Sequence, residues 1–371
     1  MRITRIESIE LRLPQITEKT AGTQDTLLVK VHTDEGLVGI GEIDSSPRVS
    51  KAIIEAPVSH TIVRGLQEVL IGADPLENEV LWHRMYQATV YMGRRAAVIH
   101  TMAGIDLALW DLKGKAFGVP VWKLLGGAFR QKIRAYASIL FGATPAATEA
   151  IGQRWRKAGF TAVKFGWEPL GESEAKDIAL VEGARRGIGD DAWLMVDAGC
   201  CYDTRTAMKR ERQFRPYNLS WLEEPLHQDN LEGYSKLSQA SETPIAAGEG
   251  EATRGEFLRL MDEGGVDIVQ IDPARVGITE TMKIASLARD RHRKVVNHSY
   301  KTYISIAASL HFLAALSDAW LLEYCVEDSP LLNSLTNEKF PLDAEGMVAV
   351  PQTPGLGVSI NEETVERYRQ R

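Results

Sequence analysis

The opening residues Met1–Leu13 alternate charged and apolar side chains, the period-two pattern of a half-exposed strand. Thr26–His32 is rich in aliphatic and β-branched residues. It runs through Asp34, Glu35 and Gly36 into Leu37–Ile40, which predicts a hairpin. Two helices should follow. Asp74 before Pro75 is a start signal, because a carboxylate can accept from orphan amide N–H groups and proline's fixed φ suits a first turn. Val98, Met102, Ile105, Leu109 and Leu112 recur at steps of four and three, so they share one buried face until Gly118 and Pro120 stop the helix. Residues 1–125 therefore read as an α+β module.

Beyond residue 131 a unit repeats: a short apolar strand, a polar residue at its end, then a helical stretch. The predicted strands are Ile133–Ser138, Thr161–Phe165, Trp193–Val196, Ser220–Leu222, Pro244–Ala247, Ile268–Ile271, Lys294–Val296 and Trp320–Leu322. Eight strands alternating with helices predict an α/β chain with a largely parallel (β/α)8 barrel of the TIM type. In that architecture the C-terminal strand ends form the active face. Polar residues gathered there call for a chemical reason.

The polar residues at or just beyond the strand ends are Lys164, Asp197, Glu223, Glu249, Asp272, His298 and Glu323. Their intervals of 33, 26, 26, 23, 26 and 25 residues each span about one β/α unit. Side chains spaced this way converge on one barrel mouth. Asp197, Glu223 and Glu249 come from consecutive strands, and three carboxylates in a low-dielectric mouth repel by several kcal/mol unless a cation lies between them. A single such acid would be expected to cap a helix or pair with an arginine; three in register point to a metal. Hard oxygen donors suit Mg²⁺, and zinc is disfavoured without His or Cys in the set.

His298 lies one repeat after Asp272, whose carboxylate is placed to hold the imidazole through Nδ1–H, fix its tautomer and leave Nε2 facing a substrate as a base. The other histidines, His32, His60, His83, His100, His227, His292 and His311, lack such a partner and read as structural. Lys164 ends an apolar run and directs a charge into the mouth, either to a substrate carboxylate or as counter-ion of the acids. Glu323 can donate to a substrate carboxylate if burial keeps it neutral, or else form an ordinary ion pair. Cys200 and Cys201 follow Asp197 without an evident base and read as small loop residues.

Composition narrows the partners. With 43 Lys+Arg against 50 Asp+Glu the chain carries −7, and it has no basic run, which argues against nucleic acid and anionic membranes and for a small molecule. No stretch approaches the ~18 apolar residues of a membrane span. Three cysteines, Cys200, Cys201 and Cys325, without metal-ligand spacing fit a reducing compartment, so a cytoplasmic protein is expected.

With these residues in hand, the sequence resembles the enolase superfamily, and within it the mandelate racemase-like subgroup of acid-sugar dehydratases. The segment Gly104–Pro120 is similar to the family's capping-domain signature. Val196-Asp197, Trp221-Leu222-Glu223-Glu224-Pro225 and Ala247-Gly248-Glu249 are similar to its metal-ligand motifs, with Glu223 rather than Glu224 as the ligand. Asp272–Gly277, Asn297-His298 and Leu322-Glu323 are similar to its dyad and electrophile motifs. The resemblance implies a modified (β/α)7β barrel over residues 126–335, capped by residues 1–125 and by a C-terminal segment, 336–371, that returns to the cap and includes Gly346–Val350. It also implies loops near residues 15–26 and 45–50 that close the pocket, a homo-oligomer, and Mg²⁺ as cofactor.

The family's second-strand motif is often Lys-x-Lys, with the second lysine as a base; here it is Lys164-Phe165-Gly166. Gly199 replaces a polar residue common in relatives, and Ile278 interrupts the usual Gly-Gly after Arg275, which suggests a roomier site. The resemblance implies removal of the α-proton of a carboxylate substrate by His298 through an enediolate. Because Gly166 cannot return a proton on the opposite face, the favoured reading is a hydro-lyase that dehydrates a sugar acid to a 2-keto-3-deoxy acid. A racemase, epimerase or sugar-lactone cycloisomerase is the alternative, followed by a non-catalytic binding protein. Trp167, Tyr300 and Lys301 either line the pocket or pack. Arg94 and Arg95 either reach a substrate carboxylate or pair with surface acids.

Overall fold

The computed structural model describes residues 1–18 and 22–370. At the N-terminus, β1 (Ile3–Arg12), β2 (Asp25–Thr33) and β3 (Val38–Ile43) form an antiparallel sheet in that order. The β2–β3 hairpin runs from Leu27 opposite Ile43 to His32 opposite Val38, the turn lying at Asp34–Gly36 as its residues require. One face of the sheet is covered by the helix Ala97–Phe117. Gly39 and Gly41, two residues apart and so on the same face of β3, let that helix come close: a β-carbon at either would collide with the carbonyl of Ala108 or Gly104. Ile6, Val29, Val31, Met85, Met102, Ile105, Leu109 and Leu112 pack between the layers.

The helix expected to begin at Asp74 begins instead at Asn78 and runs to Thr89. Asp74 turns its carboxylate onto its own loop and accepts from the Leu76 amide at 2.9 Å, the side-chain turn that competes with capping.

Eight parallel strands follow: β4 (Lys132–Leu140), β5 (Ala162–Gly166), β6 (Trp193–Asp197), β7 (Leu219–Glu223), β8 (Ile245–Ala247), β9 (Ile268–Ile271), β10 (Lys294–Asn297) and β11 (Leu322–Cys325). Each pairs with the next from β4 to β10, and β11 pairs with β4, so the barrel is nearly closed with one seam between β10 and β11. Across that seam the Asn297 side chain takes the place of a backbone ladder. Its Oδ1 accepts from the Glu323 amide at 2.7 Å and its Nδ2 donates to the Glu323 carbonyl at 3.3 Å. Tyr136, Met195, Trp221, Ile268, Val296 and Leu321 fill the barrel, while a larger apolar layer packs strands against the surrounding helices.

Seven of the eight barrel strands lie within a residue or two of their expected bounds. The last is displaced: pairing starts at Leu322, not Trp320, because Trp320 packs below the strand against Trp193 and Trp221. A further strand, β12 (Met347–Ala349), runs antiparallel to the start of β4. Gly346–Val350 therefore joins the barrel sheet, in contrast to the expectation that it packs with the cap. The chain end does reach the N-terminal sheet, where the Gln370 amide donates to the Glu10 carbonyl at 2.9 Å and Lys30 pairs with Glu362. Cap and barrel meet at Asp106, whose carboxylate accepts from the Thr279 hydroxyl and amide at 2.6 and 2.9 Å.

Candidate active site

A cavity of about 460 Å³ opens at the C-terminal ends of the barrel strands, under the cap. Asp197 and Glu223 close β6 and β7, Glu249 lies two residues past β8, and Asp272 and His298 stand one past β9 and β10. Lys164 sits inside β5 and Glu323 inside β11, both pointing inward because strand side chains alternate. All seven are buried. Lys164, Asp197, Glu249, His298 and Glu323 line the cavity itself, while Glu223 and Asp272 stand behind that lining, in contact with Lys164 and His298.

Asp197, Glu223 and Glu249 each place one carboxylate oxygen within 4.8 Å of the others. Lys164 reaches into the same group: its Nζ pairs closely with Glu223, lies 2.7 Å from Glu323 and 3.9 Å from Asp197. The Trp221 indole donates to the second oxygen of Glu223 at 2.8 Å, and the Gly199 amide to Asp197 at 2.9 Å. Burial first, and then Glu223 and Glu249, push the Asp197 carboxyl well above its ordinary range. Glu223 is raised by burial against the pull of Lys164, and Glu224 is pushed up to about 8 by burial and by Glu249. A cation among these buried acids would offset that burial and favour their ionised form. A set made only of carboxylate oxygens fits a hard divalent cation.

His298 is held as expected, with Nδ1 2.6 Å from Asp272 and Nε2 3.4 Å from Glu249. Asp272 also fixes its own position, since its other oxygen accepts from the Ala274 amide at 2.7 Å and caps the helix Pro273–Asp290. Burial opposes charge on His298, yet the carboxylates of Glu249, Glu323 and Asp272 outweigh it and raise the imidazole to about 10. Of the two states expected of Glu323, the ion pair is the one present. Burial favours its neutral form, but Lys164 and then His298 hold it below the usual carboxylate range, so it stands as an anion paired with Lys164. Its position is set from the seam, where the Ser299 amide donates to it at 2.8 Å.

Two contributors were missed from sequence. Asp44, just past β3 of the cap, lies 2.7 Å from Arg275 Nε, and Arg275 also donates to the Glu249 carbonyl at 2.7 Å. Asp44, Asp272 and His298 likewise bring ligand atoms together, but Arg275, 3.8 Å from Asp272, already supplies the cation there. Ser138 lines the cavity beside Lys164. An acid directly after an apolar cap strand was the only signal for Asp44. Gly22 and Asp44 line the cavity from the cap; Lys19, Thr20 and Ala21 of the expected closing loop lie outside the described residues. Trp167 and Tyr300 line it too, whereas Lys301 is buried against Asp25 and Asp44. Arg95 pairs with Glu256 at 3.1 Å, and neither it nor Arg94 lines this cavity. Burial pushes the Cys200 thiol up, and Cys201 up to about 12, so neither is a thiolate nucleophile.

Residues 3–126 match the family described as mandelate racemase / muconate lactonizing enzyme, N-terminal domain, and residues 146–364 match the enolase C-terminal domain-like family. The chain belongs to the enolase superfamily. Within it, the chain falls in the mandelate racemase-like group. It is 31% identical to D-galactarolactone cycloisomerase of Agrobacterium fabrum, over 100% of this chain and 99% of that protein. It is 32% identical to arabinonate dehydratase of Saccharolobus solfataricus, over 93% and 91%. The crystal structure of the 3,6-anhydro-D-galactonate cycloisomerase from Zobellia galactanivorans superposes with a TM-score of 0.90 at 31% identity, covering all of both chains. As an enolase-superfamily chain, it departs from the common second-strand motif at Gly166. A β-carbon there would stand 3.0 Å from the Asp197 β-carbon and 3.1 Å from its Oδ2.

Proposed function

We propose that this chain is a hydro-lyase of sugar acids, with His298 as the group that removes the α-proton. The observation that carries the reading is one distance set: the imidazole is anchored by Asp272 at 2.6 Å while Nε2 stands 3.4 Å from Glu249, an acid of the convergent trio. A base and a charge-stabilising site therefore share one cavity. A divalent cation, Mg²⁺ by the hardness of the donors, held by Asp197, Glu223 and Glu249, would act as Lewis acid toward a substrate carboxylate.

His298 Nε2 takes the α-proton, and Lys164 neutralises charge that moves onto the carboxylate. The β C–O bond then breaks as its electron pair leaves with oxygen, and the imidazolium returns its proton to that hydroxyl to form water. The enol product ketonises to a 2-keto-3-deoxy acid with a solvent proton on C3. Delivery and return on one face give syn elimination, in keeping with Gly166, which carries no proton-transfer group on the other. His298 must be neutral to begin. Glu249 is the main group holding its proton, so neutralising Glu249 frees the base.

A second reading, cycloisomerisation, is supported by full-length likeness to two cycloisomerases, and Gly166 is compatible with it without favouring it. There the leaving oxygen stays tethered and no water is lost. A panel of aldonates and sugar lactones with Mg²⁺, followed by NMR and keto-acid detection, separates the two. Release of 2-keto-3-deoxy acid from an open-chain aldonate supports dehydration; a product isomeric with a lactone substrate supports the second reading. Keto-acid formation undiminished in His298→Asn refutes the role given to His298.

A further inference from the structure

Two glycines, Gly166 of the cavity wall and Gly199, flank one bulky side chain that occupies the room they leave. Trp167 follows Gly166 directly and lines the cavity. Its backbone sits at φ +63°, the left-handed region that a bulky residue rarely enters. It is pinned on both sides: its amide donates to the Asp197 carbonyl at 3.0 Å, and its carbonyl accepts from the Leu170 amide at 3.1 Å. The indole lies against Gly199, where a β-carbon would fall 2.8 Å from Cδ2 and 3.0 Å from Cε3 of the ring. Any side chain at 199 would evict the indole. The two glycines and the tryptophan thus form one unit: Gly166 clears Asp197, Gly199 seats the ring, and the strained turn aims it.

Strain retained at a cavity wall is explained when the aimed group meets a ligand. Trp167 and His298 line the same cavity, on strand ends three places apart around the barrel. Ile139 and Leu140 extend the apolar wall beside it, and Gln228 lines the same cavity with a polar amide. An aromatic face beside a polar group suits a polyol, whose C–H edge packs on the ring while its hydroxyls turn to polar partners.

Building on the sugar-acid reading above, we propose that Trp167 is the specificity-determining residue of this cavity. It packs the C–H face of the substrate beyond C3, and so selects aldonates and their lactones over short α-hydroxy acids. It touches the tail, not the reacting carbon.

The test compares wild type, Trp167→Ala and Trp167→Phe with Mg²⁺ on a panel of aldonates and aldonolactones, with D-glycerate as the truncated substrate. For the best panel member, Trp167→Ala should raise KM at least tenfold with a smaller change in kcat. The ratio of its kcat/KM to that for D-glycerate should fall at least tenfold. Trp167→Phe, which keeps an aromatic face, should restore most of the ratio. Adding the same substrate should quench wild-type tryptophan fluorescence more than that of Trp167→Phe. A substrate ratio unchanged in Trp167→Ala, with sugar acids still turned over, overturns this inference and leaves the sugar-acid reading standing. Wild-type protein that turns over no member of the panel defeats that reading and this inference together. Thermal midpoints and Mg²⁺ titration of both variants confirm that they fold.

Discussion

Replacing Asp272 by asparagine changes one atom in the support of His298 and tests the dyad sharply. Asp272 has two jobs: Oδ1 caps the following helix through the Ala274 amide, and Oδ2 accepts from His298 Nδ1 at 2.6 Å. Asparagine keeps a single oxygen. If that oxygen stays on the helix, an NH₂ faces Nδ1, the ring must accept there, and its proton moves to Nε2, where the base needs a lone pair. The lost charge-assisted bond is worth about 1.5–3 kcal/mol, or roughly ten- to two-hundredfold in rate, and the wrong tautomer adds to this.

The pH profile should move in a defined direction. His298 acts when neutral, so kcat/KM climbs as pH rises through its pKa. In the chain without a bound ion, Glu249, Glu323 and Asp272 overcome burial to hold that pKa at about 10. Removing the Asp272 charge lowers it, and the ascending limb of Asp272→Asn should shift to lower pH while its plateau falls. The assay is α-proton exchange in ²H₂O, followed by NMR across pH at saturating Mg²⁺. A loss below threefold, or a limb displaced to higher pH, would refute the role given to Asp272.

Other consequences follow from the same geometry. Binding of one Mg²⁺ at a hundredfold excess over Kd should stabilise the chain by about 2.7 kcal/mol. Spread over the unfolding entropy of 371 residues, this is a rise of roughly 3–4 °C in Tm. Scanning calorimetry should find that shift in wild type and not in Asp197→Asn. Lys164→Met strips the cation from a buried group of acids and should cost about 3–5 kcal/mol in urea unfolding without metal. Millimolar Mg²⁺ should recover part of that loss, whereas an unchanged urea midpoint would mean that Lys164 is not their counter-ion. Asn297→Ala opens the seam and leaves the Glu323 amide and carbonyl unpaired, for a loss of roughly 2–5 kcal/mol. A urea midpoint within error of wild type would show that the barrel closes without it.

What the sequence disclosed was whatever repeats with the period of the fold. Asp197, Glu223 and Glu249 were legible because one β/α unit separates them, and His298 because Asp272 occupies the matching place one unit earlier. Relations between distant segments were not legible. Asp44 and Arg275 meet across 231 positions of chain, and no local pattern announces the pair. The ionisation of Glu323 depends on a lysine 2.7 Å away on a strand two places around the barrel, so the sequence left a neutral acid and an ion pair both open: burial alone raises the carboxyl, and the lysine decides. Trp320-Leu321-Leu322 is uniformly apolar, and an unbroken apolar run does not mark the residue where pairing starts. At Asp74 two local preferences, a cap and a side-chain turn, compete for one carboxylate, and the turn won.

The central claim is that His298 carries a proton between the substrate's α-carbon and solvent beside an ion held by Asp197, Glu223 and Glu249. It is met most directly by NMR of an aldonate incubated with Mg²⁺ in ²H₂O. Wild type should yield a 2-keto-3-deoxy acid bearing deuterium at C3, and His298→Asn neither that product nor exchange at C2. Exchange at C2 or deuterated product in His298→Asn at the wild-type rate would contradict it.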